Sequence, residues 1–209
     1  MIIHDAGLVF RGVSPNGGKQ KVIDAIVLHH RAGNGDVESI HKQHQQQKGW
    51  WGIGYHYYIR KNGEIWRGRE EHWVGSHAGS SNDYNKHSIG ICFEGNFETE
   101  TMTDAQVESG RDLIEDIKSR YAIKEILGHR DVAKTACPGK NFRMDDLLRE
   151  WDIPDWAVDE FAQAVKDGIT DGSNPADMIP RYQAALMAYR AYRKAVQDVI
   201  KAIGGRIAK

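Results

Sequence analysis

The segment VIDAIVLHH, at residues 22–30, constrains the fold more than any other part of the 209-residue chain. It is apolar almost throughout and rich in valine and isoleucine. A strand with one face in water alternates apolar and polar residues, so a continuous apolar run indicates a strand that is buried on both faces. Such a strand needs packing layers on its two sides, which predicts a sheet flanked by helices.

Helix and strand patterns alternate along the rest of the first part of the chain. Asn-Gly between two β-rich runs is a strong hairpin signal, and aspartate or threonine before a helical stripe is a typical N-cap. Together these patterns predict an α/β fold with a mixed central sheet flanked by helices. The predicted elements are a helix at 35–47 capped by Asp36, a hairpin at 55–68 around Asn62-Gly63, a strand at 88–95, a helix at 101–121 with Thr103 and Gln106 as a capping box, and a strand at 125–129.

The character of the sequence changes near Trp151, after which no strand-like run occurs. We place the boundary between residues 144 and 154, and we expect two domains, 1–148 and 149–209. The second domain is predicted to be a small all-α module. Its elements are a helix at 155–167 that ends at Gly168, a loop rich in turn residues, and a second helix from Arg181 to about Ile203.

The last predicted helix carries apolar residues at alternating spacings of three and four, which is the a/d pattern of a coiled coil. The stripe could pair with a second copy of the chain, giving a homo-oligomer, or it could pack on the preceding helix. The pattern supports both alternatives. The stripe consists of Tyr182, Ala185, Tyr189, Tyr192, Val196, Val199 and Ile203.

The overall composition argues against several classes of partner. The net charge of −1 gives no support to a nucleic-acid partner. No apolar run approaches the ~20 residues of a membrane span, so we expect no membrane insertion. The N-terminal residues lack a basic segment followed by an apolar one, which is the signature of a signal peptide. We therefore expect synthesis in the cytoplasm.

The loop GHRDVAKTACPG, at residues 128–139, holds two metal-ligand types, His129 and Cys137. A zinc site needs three or four ligands, and a catalytic site keeps one position for water. A third ligand could come from the end of the buried strand, where His29 and His30 stand side by side. Successive strand residues face opposite sides, so only one of the two can point into a given site, and periodicity does not choose between them.

Several motifs across roughly residues 20–145 resemble the zinc-dependent N-acetylmuramoyl-L-alanine amidases, which include certain phage lysozymes and the peptidoglycan recognition proteins. The resemblance implies the amidase fold and a hydrolase that acts on peptidoglycan. It is specific because separate motifs agree in both order and spacing. The motifs are IVLHH, GYHYYIRKNGEIWRGR, VGSHA, HSIGICFEG and GHRDVAKTACPG.

The resemblance also implies the metal ligands. It assigns His29, His129 and Cys137 to one catalytic Zn²⁺. Two neutral imidazoles and one thiolate leave the zinc with a net positive charge, which lowers the pKa of a bound water toward ~7. The expected chemistry is attack of the resulting hydroxide on the scissile amide.

Further residues of the motifs are implied to act on the substrate. Tyr55 and Thr135 are expected to be catalytic, donating hydrogen bonds to the oxyanion. At the position of Thr135 the phage lysozymes carry lysine, whereas the recognition proteins with amidase activity carry threonine. His77 is expected to bind substrate in the groove. No motif fixes a general base; Glu94 shares the strand parity of Cys92, so it could face the site or lie at the surface.

The predicted function is that of a peptidoglycan hydrolase, a phage or prophage endolysin, that cleaves the amide between N-acetylmuramic acid and L-alanine. Such a protein would act on the cell wall after release from the cytoplasm. The C-terminal module resembles a single S-layer homology motif, which implies wall binding, although Pro180-Arg181 replaces the usual Thr-Arg. The alternatives are a bacterial autolysin or recycling amidase, a non-catalytic peptidoglycan-binding protein, and a regulatory binder of another protein.

Overall fold

A computed structural model describes residues 1–12, 18–79, 83–149, 155–167, 169 and 181–207. Contacts divide the chain into two compact units, Met1–Leu148 and Arg149–Lys209. The elements in chain order are β1 (Ile3–His4), β2 (Ala25–His30), α1 (Val37–Gln47), β3 (Tyr57–Ile59), β4 (Ile65–Arg67), a 3₁₀ turn (Tyr84–Lys86), β5 (Ser88–Phe93), α2 (Asp104–Arg120), β6 (Glu125–Gly128), α3 (His129–Val132), α4 (Met144–Leu148), α5 (Asp155–Lys166) and α6 (Arg181–Ile207).

The first unit is built on a six-stranded sheet in the order β1-β4-β3-β5-β2-β6. Strand β2 lies parallel to both of its neighbours, β5 and β6, whereas β3 and β4 form an antiparallel hairpin. The turn of that hairpin contains Gly63 at φ 86°, a conformation that glycine adopts without strain. The predicted α/β class with a mixed central sheet is confirmed.

Every residue of β2 is buried, as its apolar sequence predicts. Alternate side chains of β2 and its neighbour β5 lie on opposite faces of the sheet, and each face has its own apolar cluster. Ile26 and Leu28 pack in a cluster that contains α2 residues, whereas Cys92 of the neighbouring β5 packs in a cluster with Val37 and Ile40 of α1. The sheet is therefore covered on both faces, and the odd-numbered residues of β2 point toward the α1 side.

The predicted helix starts are confirmed at the level of individual hydrogen bonds. The Asp36 carboxylate accepts from the backbone N–H of Ser39 at 2.8 Å. Thr103 Oγ1 accepts from the N–H of Gln106 at 3.1 Å, and the Gln106 side-chain oxygen accepts from the N–H of Thr103 at 3.2 Å. These bonds satisfy backbone donors that the first turn of a helix otherwise leaves unpaired.

The second unit contains α5 and α6, and α6 continues to Ile207, past the predicted end near Ile203. Ala185 and Tyr189 are buried, and Arg190 pairs with Glu160 of α5 at 2.6 Å. Tyr192 and Val199 remain exposed by 57% and 55%, so the predicted apolar stripe is only partly covered within the unit. Gly168, the turn-rich loop at 170–180, and the side chains of Tyr182 and Ile203 lie outside the described residues. Among the helices that the structure describes, none is long and apolar enough to cross a bilayer.

Replacing Thr103 with alanine removes the capping bond to Gln106 and the 2.7 Å bond that Thr103 Oγ1 donates to the Lys61 carbonyl. We expect Thr103→Ala to lower the free energy of unfolding by about 1–2 kcal/mol. Urea denaturation measures the change. Thr101→Ala is the matched control, because the side chain of exposed Thr101 makes one long bond to a described residue, 3.3 Å to the Asn141 carbonyl. Equal effects of the two substitutions would contradict the capping role.

Candidate metal centre

Three side chains with metal-ligand chemistry meet at one edge of the sheet. One ligand atom from each of His29, His129 and Cys137 lies within 4.8 Å of the other two. His29 is near the end of β2, and His129 starts α3 directly after β6, the parallel neighbour of β2. Parallel strands end at the same edge of a sheet, so this topology brings the two histidines together. The loop after α3 then returns Cys137 to the same point.

The structure separates the two adjacent histidines of β2. His29 is completely buried, and its Nδ1 lies 3.8 Å from Cys137 Sγ. His30 points to the opposite face, where its Nδ1 accepts a hydrogen bond from the backbone N–H of Phe97 at 3.2 Å. The alternation of side chains along the strand therefore places His29 in the cluster and gives His30 a structural contact.

The cluster fits a zinc ion in donor type and in spacing. Zinc–ligand distances of about 2.0–2.3 Å in a tetrahedron put neighbouring ligand atoms about 3.5 Å apart. The observed 3.8 Å between His29 Nδ1 and Cys137 Sγ is close to this value. In addition, His129 Nε2 is buried without a hydrogen-bond partner among the described residues.

The protonation of the cluster also suits a cation. Burial lowers the pKa of His29 and of His129, so both imidazoles are neutral, which is the form that binds metal. Burial raises the pKa of the Cys137 thiol to about 11. A thiolate at this position therefore requires a neighbouring positive charge, which a bound metal ion would supply.

The two residues expected to be catalytic border the cluster. The Tyr55 ring centroid lies 5.1 Å from that of His29, and burial holds the pKa of its phenol well above the usual range, which keeps it a hydrogen-bond donor. Thr135 is exposed, and its Oγ1 accepts from the backbone N–H of Cys137 at 3.2 Å. This bond uses an acceptor site of the hydroxyl and leaves its hydrogen for another partner.

His77 lies behind His29 and is 5% exposed. Its Nδ1 lies 3.0 Å from His29 Nε2, within hydrogen-bond distance. The sequence gives no sign of this contact, because His29 and His77 belong to separate motifs that lie 48 residues apart along the chain.

Glu94 is tied to the backbone of two loops. One carboxylate oxygen accepts from the N–H of Gly35 at 2.9 Å, and the other accepts from the N–H of Lys61 at 3.0 Å. The residue is 7% exposed. These contacts favour a structural role for Glu94 over that of a general base.

His44 of α1 is a neighbour of the site whose role the sequence motifs do not indicate. Its Nδ1 accepts from the backbone N–H of Gly54 at 3.1 Å, and burial lowers its pKa to about 4. Its ring lies 5.7 Å from the ring of Tyr55 and 4.8 Å from that of Trp50. Helix α1 therefore also supports the position of Tyr55 through His44.

Glu94→Gln tests the structural role of that carboxylate. Glutamine retains one acceptor oxygen, so one of the two part-buried backbone N–H groups loses its partner, and the 3.7 Å ion pair with Arg60 is lost. We expect a loss of about 1–3 kcal/mol in the free energy of unfolding. The catalytic rate of the folded protein should not change. Glu38→Gln, at an exposed position in the first turn of α1, is the control. A large loss of rate with unchanged stability would instead identify Glu94 as a base.

Comparison with known proteins shows which family the chain resembles along most of its first unit. Residues 19–140 match the family model described as N-acetylmuramoyl-L-alanine amidase. The endolysin of Escherichia phage T7 is 36% identical over 138 residues, 62% of this chain and 85% of the relative. Peptidoglycan-recognition protein SC2 of Drosophila melanogaster is 36% identical over 137 residues, 60% of this chain and 72% of the relative. The solved structure of the endolysin amidase LysCS from Clostridium intestinale superposes with a TM-score of 0.63 at 37% identity, covering 70% of this chain and 92% of that one. The chain therefore belongs to the N-acetylmuramoyl-L-alanine amidase family and is a peptidoglycan hydrolase with that activity.

Proposed function

We propose that His29, His129 and Cys137 hold one catalytic Zn²⁺, with His29 binding through Nδ1. The observation that carries the proposal is the convergence of two imidazoles and one thiol within 4.8 Å at the end of the central strands. This donor set matches zinc sites, and three protein ligands leave a position open. When bound, the zinc would activate a water molecule and polarise the carbonyl of the bond between N-acetylmuramic acid and L-alanine.

The chain's own residues then stabilise the charge that develops on the substrate. The carbonyl oxygen becomes negative as the amide is attacked, and hydrogen-bond donors aimed at it lower the barrier. The Tyr55 phenol and the Thr135 hydroxyl are the donors that we assign to this role. Tyr55 is fixed by its packing on the cluster of Ile53 and Cys92, and Thr135 is fixed by its bond to the Cys137 amide.

We also propose that the protein is a phage or prophage endolysin, which accumulates in the host cytoplasm and reaches the wall after release. The similarity to the phage T7 endolysin over 85% of that protein supports this role. A bacterial autolysin or recycling amidase would use the same site. The two roles differ in when the protein meets the wall, so expression during phage development distinguishes them.

We assign residues 149–209 to a separate module that binds the wall or joins copies of the chain. The exposed part of the α6 stripe, including Tyr192 and Val199, supports a role in contact with a partner. Sedimentation equilibrium of the full chain separates the two alternatives. A dimer supports self-association, whereas a monomer whose sedimentation with purified walls is weakened by Tyr192→Ser and Val199→Ser supports wall binding by this module.

Analysis of the ends released from purified peptidoglycan tests the proposed zinc chemistry. We expect the wild type to contain about one zinc per chain and to release alanine amino termini without new reducing sugars. A chelator should abolish the release. Cys137→Ser should lose both zinc and activity while it keeps its circular dichroism spectrum, because a serine hydroxyl is a poor zinc ligand.

Cys92→Ala is the control for this substitution, because Cys92 is the other free cysteine and is buried outside the metal cluster. It should retain its zinc. Full activity and full zinc content in Cys137→Ser would remove Cys137 from the ligand set. Absence of any new ends, with the wild type still sedimenting with walls, would indicate a binding protein.

Tyr55→Phe removes the phenolic donor and keeps the ring. We expect kcat to fall by about 10²–10³, with little change in zinc content or KM, because the hydrogen bond is made to charge that exists only in the transition state. Steady-state hydrolysis and zinc analysis of the same sample measure these quantities. The hydroxyl would have no catalytic role if kcat stayed at the wild-type value.

A further inference from the structure

We propose that His77 is a positioning residue that holds His29 in the orientation in which Nδ1 binds the metal. This inference rests on the proposed zinc site and adds a residue behind it. The two nitrogens of His29 point to different partners, with Nδ1 3.8 Å from Cys137 Sγ and Nε2 3.0 Å from His77 Nδ1. The ring of His29 is thus fixed between the metal cluster on one side and His77 on the other.

The position of the hydrogen on the His29 ring gives His77 a role as a hydrogen-bond acceptor. A neutral imidazole carries one hydrogen, and the nitrogen that binds a metal must be the other one. If His29 binds through Nδ1, its hydrogen is on Nε2 and must be donated. His77 Nδ1 lies at the right distance to accept it. Metal-binding histidines generally need such a partner to fix their ring and tautomer.

The surroundings of His77 hold its ring in place. The side-chain oxygen of Asn85 accepts from the backbone N–H groups of His77 and Ala78, at 2.8 and 2.9 Å. A Cβ atom added at Gly75 or Gly90 would come within 2.5 Å of the His77 ring. The two glycines therefore make a slot that a larger residue at either position would close.

Contacts with groups other than His29 do not explain why residue 77 is a histidine. The nearby ring of His56 is engaged elsewhere, because its Nδ1 accepts from the Gly90 N–H at 2.9 Å and its Nε2 contacts the Trp73 carbonyl at 2.9 Å. His77 Nε2 is buried and has no partner among the described residues. An apolar side chain would fill this slot without leaving a polar atom unpaired, so packing alone does not explain a histidine here. The hydrogen bond to His29 explains it, because that bond needs an acceptor nitrogen at this position.

The burial of His77 also bears on its expected contact with substrate. A side chain that is 5% exposed presents little surface to a polymer in the groove. The positioning role instead predicts an effect on metal affinity that does not require substrate. Zinc affinity measured without substrate therefore tests the positioning role independently of activity.

Two substitutions of nearly equal size and shape test the proposal. Asparagine and leucine both branch at the γ carbon and both lose the ring volume, but only asparagine offers an oxygen near the position of Nδ1. We expect His77→Leu to weaken zinc binding about 10–100-fold. His77→Asn should recover most of that loss. Competition with a chromophoric chelator measures the dissociation constants, and thermal unfolding of the metal-free proteins checks that both variants lose similar stability.

His41→Asn is the control, because His41 is a buried histidine whose ring nitrogens contact, within the described part of the chain, the Val9 carbonyl and the Ile53 N–H. It should bind zinc as the wild type does. Equal zinc affinities for His77→Leu and His77→Asn would overturn the positioning role, as would unchanged affinities accompanied by a higher KM, which would indicate substrate contact. A wild type that binds no zinc would overturn the metal site itself, and this result is distinct from the other two.

Discussion

The burial of β2 on both faces is the constraint on which the rest of the catalytic unit depends. Its parallel pairing with β5 and β6 aligns the ends of three strands at one edge, and its complete burial fixes the backbone that carries His29. A strand held from all sides is a rigid support for a metal ligand. The proposed metal centre therefore depends on the same apolar run that determines the fold.

The site concentrates neutral donors in a place where charge is costly. His29 is completely buried, and burial also disfavours the thiolate of Cys137. Of the three side chains, His129 leaves its buried Nε2 without a hydrogen-bond partner among the described residues. A cation at the centre would compensate all three at once, which couples occupancy of the site to the stability of the loop that holds Cys137.

Much of the fold could be predicted because it follows from local sequence patterns. The apolar run of β2, the Asn62-Gly63 turn and the Thr103–Gln106 capping box each act over a few residues, and the structure contains all three. The two-residue strand β1 and the short helices α3 and α4 are too short to show a period, and tertiary contacts determine them. Likewise, residues alone left His29 and His30 as alternatives, and only the resemblance to a family chose His29. The bond between His29 and His77 escaped prediction because the fold alone brings these residues together.

The metal ligands themselves are the central claim, and X-ray absorption at the zinc edge of the purified protein tests them most directly. Zinc bound by His29, His129 and Cys137 should show one sulfur at about 2.3 Å and nitrogen or oxygen neighbours at about 2.0–2.1 Å, including two imidazoles. The sulfur contribution should disappear in Cys137→Ser. A spectrum with only nitrogen and oxygen neighbours in the wild type would contradict the assignment.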